Sequence, residues 1–405
     1  MDSNQTSLRR RLTLPLLVLY GVGVTIGAGI YVLIGAMAGH AGMRAPLAFV
    51  LAGVVMGLTA ASYAELCTRF PVSAGEAAYV KAAFRSRSLS TMTGLLTIVI
   101  GVISAAAVSI GSAGYIREFI DLPQYIIVIA VVSGLGLIAA WGILESVVLA
   151  GLFTLVEIGG LVAIIVAGTR ADLDVISALP QLLAPPLEMS AWTGIAFASL
   201  LAFFAFIGFE DLANVVEEVR EPERTMPRAI AFTLVISVVL YFWVAAIAVL
   251  AVPLERLSTS SAPLSLVFQE VAGISPAAIS AIAIMATLNT VLVQMTMASR
   301  VIYGMSKHGD LPQVLGQVNA ATATPIIATV LVVAAALLFA VSLPIERLAK
   351  WTSLATLVVF AVVNLSLIVL RRQATPAPAG RITVPIWIPA AGLLTCILML
   401  ASALL

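Results

Sequence analysis

Eleven apolar runs, at 12–39, 46–66, 90–114, 124–141, 143–168, 191–216, 226–252, 276–305, 324–343, 351–370 and 383–404, leave this chain little choice of fold. About 20 apolar residues cross a bilayer as a helix. In hydrocarbon every N–H and C=O must find a partner within the protein, so each run is expected to be helical. Prolines at 46, 123, 227, 276, 325 and 385 stand near run starts, where a missing N–H costs little. With 61% hydrophobic and 10% charged residues, the chain has too little charge for a soluble protein of this length. The expected class is an all-α polytopic membrane protein, one transmembrane domain over 1–405, with the lipid bilayer as its solvent. A net charge of +1 speaks against a nucleic-acid partner. Cys67 and Cys396 lie in different runs and there are only two histidines, so no metal-site spacing exists and no cofactor is expected.

Lys and Arg set the orientation. Placing the N-terminus inside puts 15 of them, including Arg9, Arg10 and Arg11, on the inner side and 6 on the outer. This positive-inside bias predicts a cytoplasmic N-terminus, an outer C-terminus and a place in the cell's inner (plasma) membrane. The three arginines, the first run and Ala36-Met37-Ala38 together imitate a signal peptide. The run is longer and richer in glycine than a usual signal core, so it is kept as the first helix.

Two runs are interrupted. Leu19-Tyr-Gly-Val-Gly-Val-Thr-Ile-Gly-Ala-Gly-Ile-Tyr31 gathers five Gly or Ala residues near mid-depth. A break there would free the N–H groups of Ala28, Gly29 and Ile30 at the start of one half-helix and the carbonyls near Thr25 at the end of the other. The first set attracts an anion and the second a cation. The plain alternative is a small-residue face packed on a neighbour. The sixth run, Ser199-Leu-Leu-Ala-Phe-Phe-Ala-Phe-Ile-Gly-Phe-Glu-Asp211, carries a glycine and two acids mid-run. Helices 1 and 6 each open a group of five, and because five is odd the two groups sit inverted in the membrane. Paired interruptions of this kind point to a transporter's binding site. The expected division is 12–168, 191–370 and an extra helix at 383–404.

Three further stretches complete a pattern: Tyr63-Ala-Glu-Leu-Cys-Thr-Arg-Phe-Pro-Val-Ser-Ala-Gly-Glu-Ala-Ala-Tyr79, Glu217-Glu-Val-Arg-Glu-Pro-Glu-Arg-Thr-Met-Pro-Arg228, and Ala298-Ser-Arg-Val-Ile-Tyr-Gly-Met-Ser-Lys-His-Gly-Asp-Leu-Pro312. With Ile26-Gly-Ala-Gly-Ile30 and Phe206-Ile-Gly-Phe-Glu210, they closely resemble the amino acid–polyamine–organocation superfamily of permeases. The resemblance implies the five-plus-five inverted-repeat (LeuT-like) fold with an amino acid held between discontinuous helices 1 and 6. On that likeness the N–H groups of Ala28, Gly29 and Ile30 take the α-carboxylate, and the carbonyls of Thr25, Phe204 and Ile207 take the α-ammonium, with Ile26 between them. Many members have twelve helices, and the departure here touches contacts such as dimerisation; a monomer and a homodimer both stay open.

The resemblance makes Phe204 the aromatic gate, against a plain core ring. Glu157, halfway through helix 5, is an intramembrane acid and a functional candidate by position. It stands where members often carry lysine. Its readings are proton uptake, sodium ligation together with Thr290, or a structural hydrogen bond to helix 1. Glu210 is either a half-helix cap or, as in some members of the resembling family, a residue of gating or proton sensing. Gln294 reaches the substrate or bonds between helices. Glu65, Arg69, Arg220, Glu221, Arg224 and Arg300 form an inner ion-pair network or ordinary solvated charge. The expected function is proton-coupled import of a neutral L-amino acid by alternating access, proton being favoured over sodium as coupling ion. The alternatives are exchange, sodium symport and a cationic substrate. No His or Cys at depth could serve a membrane enzyme, and no continuous polar stripe suggests a channel.

Overall fold

The computed structural model describes residues 12–71, 75–141, 147–171, 173–319, 322, 324–373 and 382–403. Arg9, Arg10 and Arg11, used above for orientation, Arg381 of the same inner count, and residues 72–74 of the Tyr63–Tyr79 motif lie outside these. The helices are α1 (Leu14–Ile26), α2 (Gly29–Ala41), α3 (Ala45–Arg69), α4 (Gly75–Phe84), α5 (Arg87–Ile116), α6 (Gln124–Trp141), α7 (Val147–Arg170) and α8 (Val175–Leu183). They continue as α9 (Met189–Phe206), α10 (Pro222–Ala251), α11 (Leu254–Thr259), α12 (Pro263–Ala272), α13 (Ala277–Lys307), α14 (Ile326–Ser342), α15 (Ile345–Arg372) and α16 (Trp387–Ser402). A 3-10 helix, Phe209–Glu218, follows α9. Each apolar run contains a helix where it is described, and runs 1 and 6 are the interrupted ones: α1 and α2 share run 1, while α9 and the 3-10 helix share run 6.

Local chemistry explains the boundaries. Pro46 and Pro222 sit in the first turns of α3 and α10, where their missing N–H groups cost little. The Ser86 side chain caps α5 by accepting from Leu89 N–H at 3.3 Å. Between the second and third apolar runs lies α4, an additional helix packed against α5 and α15. The core is built by α5 against α13, α3 against α10, and α2 against α9.

The last helix is part of this packing. Helix α16 lies along α3 and α15. Gly392 gives Asn364 of α15 room; a Cβ there would stand 2.7 Å from Asn364 Oδ1. Asn364 in turn donates to Thr59 at 2.9 Å and accepts from Ser62 at 2.7 Å, both on α3. Just before α16, Val384 N–H donates to Glu65 at 2.8 Å. Lys350 donates to the Ala403 carbonyl at 3.1 Å at the opposite end.

Glu65 is fully buried and is bound by three elements at once. Arg69 approaches one oxygen at 2.7 Å, Arg371 makes a bidentate pair with both, and Val384 supplies its N–H. A buried carboxylate is tolerable only with such compensation. Of the expected charged set, Glu65 and Arg69 are paired here, with a partner, Arg371, that the sequence reading left out.

Candidate functional site

The two interruptions meet. At Gly27 the backbone takes φ 23 and ψ −132, which ends α1, and α2 restarts at Gly29. At Gly208 it takes φ 127, a conformation open to glycine and poorly to other residues. A Cβ on Gly208 would stand 2.6 Å from the Val24 carbonyl oxygen, and one on Gly29 would stand 2.3 Å from Ala205 Cα. Backbone therefore touches backbone on both sides of the crossing. The first turn of α2 opens with no side-chain cap, so its N–H groups keep the positive end of the helix dipole available to an anion.

The carbonyl ends are organised by a residue the sequence reading missed. The Tyr241 hydroxyl, on α10, lies 2.8 Å from the Thr25 carbonyl, 3.2 Å from that of Ile26 and 2.8 Å from that of Ala205. One hydroxyl carries one proton, so it satisfies these acceptors in turn and leaves the others available to a cationic donor. The Phe204 carbonyl accepts from Ile207 N–H at 3.2 Å, which tightens the last turn of α9. Thr25, Ile26, Ala28, Gly29, Ile30, Phe204 and Ile207 are all buried at this crossing. Phe203, Phe206 and Phe209 join a ring cluster with Phe360, Tyr241 and Tyr63; among the described residues Phe204 makes no ring contact of that kind.

Glu157 is buried on α7, level with the break in helix 1. One turn before it, Thr154 abuts Gly23; one turn after it, Gly160 faces the Tyr31 hydroxyl, which donates to the Glu157 main-chain carbonyl at 2.9 Å. From the other side Thr290 on α13 reaches Gly27, its hydroxyl 2.8 Å from where a Cβ would be. That hydroxyl also donates to the Ala286 carbonyl at 2.9 Å. Glu157 and Thr290 thus flank the same break.

Ile207, Glu210 and Gln294 come together at a cavity of about 50 Å³ between α5, α13, α15 and the 3-10 helix. Glu76 and Asp211 also line it. The space takes a few water molecules and is too small for an amino acid. Glu210 accepts from Gly208 N–H at 2.9 Å, the geometry of a cap at the break. Three acids thus line this cavity, one from α4 and two from the 3-10 helix.

Comparison with known proteins gives this geometry its context. A profile of the amino acid permease family matches residues 12–405. The chain belongs to that family. It is 29% identical to the branched-chain amino acid permease BcaP of Bacillus subtilis over 99% of this chain and 89% of that one. It is 30% identical to the vacuolar cationic amino acid transporter 2 of Arabidopsis thaliana over 91% of this chain, spanning 61% of the plant protein. The methylthioribose transporter of Bacillus subtilis is 27% identical over 92% of this chain and 83% of its own length. The permease is therefore a multi-pass amino acid transporter and not an enzyme, with the LeuT-like all-α fold.

Proposed function

We infer that this permease imports neutral L-amino acids with a proton by alternating access, binding substrate where the two broken helices cross. The observation that carries this reading is the pairing of an uncapped helix start at Gly29 with carbonyl ends gathered under Tyr241. A zwitterion meets opposite partial charges at both ends there, and leaving either charge unpaired in a low-dielectric site would cost about several kcal/mol. On this reading Ala28, Gly29 and Ile30 hold the carboxylate, while Thr25, Phe204 and Ile207 offer carbonyls to the ammonium. Phe204 closes the site, Gln294 faces the side chain, and residues 12–168 and 191–370 are the inverted repeats. The basic face of the bundle is cytoplasmic.

Coupling falls to Glu157. An acid buried beside the break at Gly27 takes a proton at lower cost than it holds a bare charge. Thr290 gives sodium few hard oxygens, which keeps proton ahead of sodium. The acids lining the cavity support a second reading, a cationic substrate. Uptake by the purified chain in proteoliposomes tests these together. An inward pH gradient should drive uphill accumulation of L-leucine but not L-arginine, and Glu157→Gln should lose that accumulation while retaining counterflow. Strict dependence on preloaded amino acid would make the permease an exchanger, and accumulation surviving in Glu157→Gln would move coupling elsewhere.

A further inference from the structure

Just past the break in helix 1, buried tyrosines form a chain of hydrogen bonds across four helices. Tyr31 is in the first turn of α2, next to the N–H groups of Ala28, Gly29 and Ile30. Its hydroxyl donates to the Glu157 main-chain carbonyl on α7 at 2.9 Å. Its own main-chain carbonyl accepts from the Tyr115 hydroxyl of α5, on the lone pair that the helix bond leaves over. The Tyr115 hydroxyl accepts in turn from Leu264 N–H of α12 at 3.3 Å. The rings of Tyr31 and Tyr115 meet edge to face with centres 6.5 Å apart, and both are fully buried. Gly160 makes room for the contact on α7: a Cβ there would stand 3.0 Å from the Tyr31 hydroxyl. The first turn of α2 is thus tied on two sides, to α7 by a side chain and to α5 and α12 through a carbonyl.

We propose that Tyr31 is a positioning residue for the substrate carboxylate: its hydroxyl, braced by Tyr115, sets the direction in which the first N–H groups of α2 point. An anion held by backbone N–H groups depends on aim, since a hydrogen bond weakens steeply as its angle falls toward about 120°. The break at Gly27 uncouples the start of α2 from α1, so that aim has to come from side contacts. Phenylalanine would fill nearly the same space as Tyr31, and what the hydroxyl adds is a fixed point on α7. The bond goes to the main-chain carbonyl of Glu157 and not to its carboxyl group, so it does not require either charge state of that acid. This role rests on the carboxylate-binding reading of the α2 start given above, and not on the coupling ion.

Isothermal titration of the purified full chain in lipid nanodiscs, with L-leucine and with L-leucinamide, tests it. The amide keeps the ammonium group and the side chain and lacks the carboxylate charge. Wild type should bind L-leucine the more tightly. In Tyr31→Phe the L-leucine Kd should rise about tenfold, the loss of one buried hydrogen bond, while that of L-leucinamide changes by less than about twofold. Tyr115→Phe and Gly160→Ala should move the ratio the same way, and they carry the comparison if Tyr31→Phe does not fold. Tyr79→Phe takes an equally buried hydroxyl from its bond to Cys67, away from the break, and should leave both constants as in wild type. A Tyr31→Phe chain that is folded by gel filtration and keeps the wild-type ratio would overturn the role. So would one that loses affinity for both ligands by the same factor, which is what packing alone predicts. Wild type that does not prefer L-leucine would instead overturn the reading of the α2 start, and the role of Tyr31 with it.

Discussion

Tyr241 is where a single hydroxyl does the most. Its ring packs at 5.2 Å from Phe49 and 4.9 Å from Phe206, so Tyr241→Phe keeps the packing and removes only the donor shared by three buried carbonyls. Stranded acceptors cost about 1–3 kcal/mol. The Phe variant should melt below wild type and Tyr241→Ala lower still; a Phe variant as stable as wild type would remove the hydroxyl from the account. Gly29 offers a second test of the crossing. A methyl there meets Ala205 Cα at 2.3 Å, and backbone cannot yield as a side chain would. Gly29→Ala should cost about 1–3 kcal/mol and abolish ligand-linked stabilisation, checked by melting with and without L-amino acids. The glycines were legible in the sequence because φ leaves a mark on residue choice. Tyr241 was not: inside Leu240-Tyr-Phe-Trp243 it looks like one more interfacial aromatic, and only the fold puts its oxygen under two helix ends.

The interrupted helices are joined away from the crossing as well. Leu12 N–H donates to the Glu218 carbonyl at 3.0 Å and Arg220 N–H to that of Leu12 at 2.9 Å, an isolated parallel bridge pairing Leu12 with Val219. The start of α1 and the end of the 3-10 helix are thus one structural unit, and should swing together when the basic side opens. A disulfide between Leu12→Cys and Val219→Cys should form with mild oxidant and leave counterflow above about half of the reduced level. Counterflow abolished on oxidation and restored by reductant would show that the two segments separate during transport. The Glu65 junction binds the other half of that face. Glu65→Gln leaves two guanidinium groups facing each other without their countercharge, a loss of about 3–5 kcal/mol that thermal unfolding should register. The long helices were readable from the apolar runs, since length and hydrophobicity alone decide a span, whereas the short connecting helices α4, α8, α11 and α12 were not. What could not be read was pairing at a distance: Arg371 lies 306 residues from Glu65, and Val384 lies 319 from it.

At the scale of the whole molecule, acids were the least legible part of the site. Glu210 stood out because it interrupts an apolar run, whereas Glu76 sits among loop residues of mixed character, and only α4 folding back against α5 and α15 carries it to the cavity. That placement has a consequence for stability. Glu76 ordinarily titrates at 4.5, and burial raises it in the folded protein. The folded state then binds more protons than the unfolded chain above that pH. A raised acid stabilises most below its unfolded value, and the contribution is lost as pH climbs through the folded one. Asp310 works the other way, since Arg87 holds its carboxyl below the ordinary 3.8, but its contribution fades only in stronger acid and Arg87 is largely exposed. Between pH 5 and neutrality Glu76 therefore contributes an effect that its own substitution isolates. The permease should melt at a higher temperature at about pH 5.5 than at about pH 8, and Glu76→Gln should flatten that slope while leaving the melting temperature in acid nearly unchanged. A slope that persists intact in Glu76→Gln would assign it to other groups and leave α4 as packing alone.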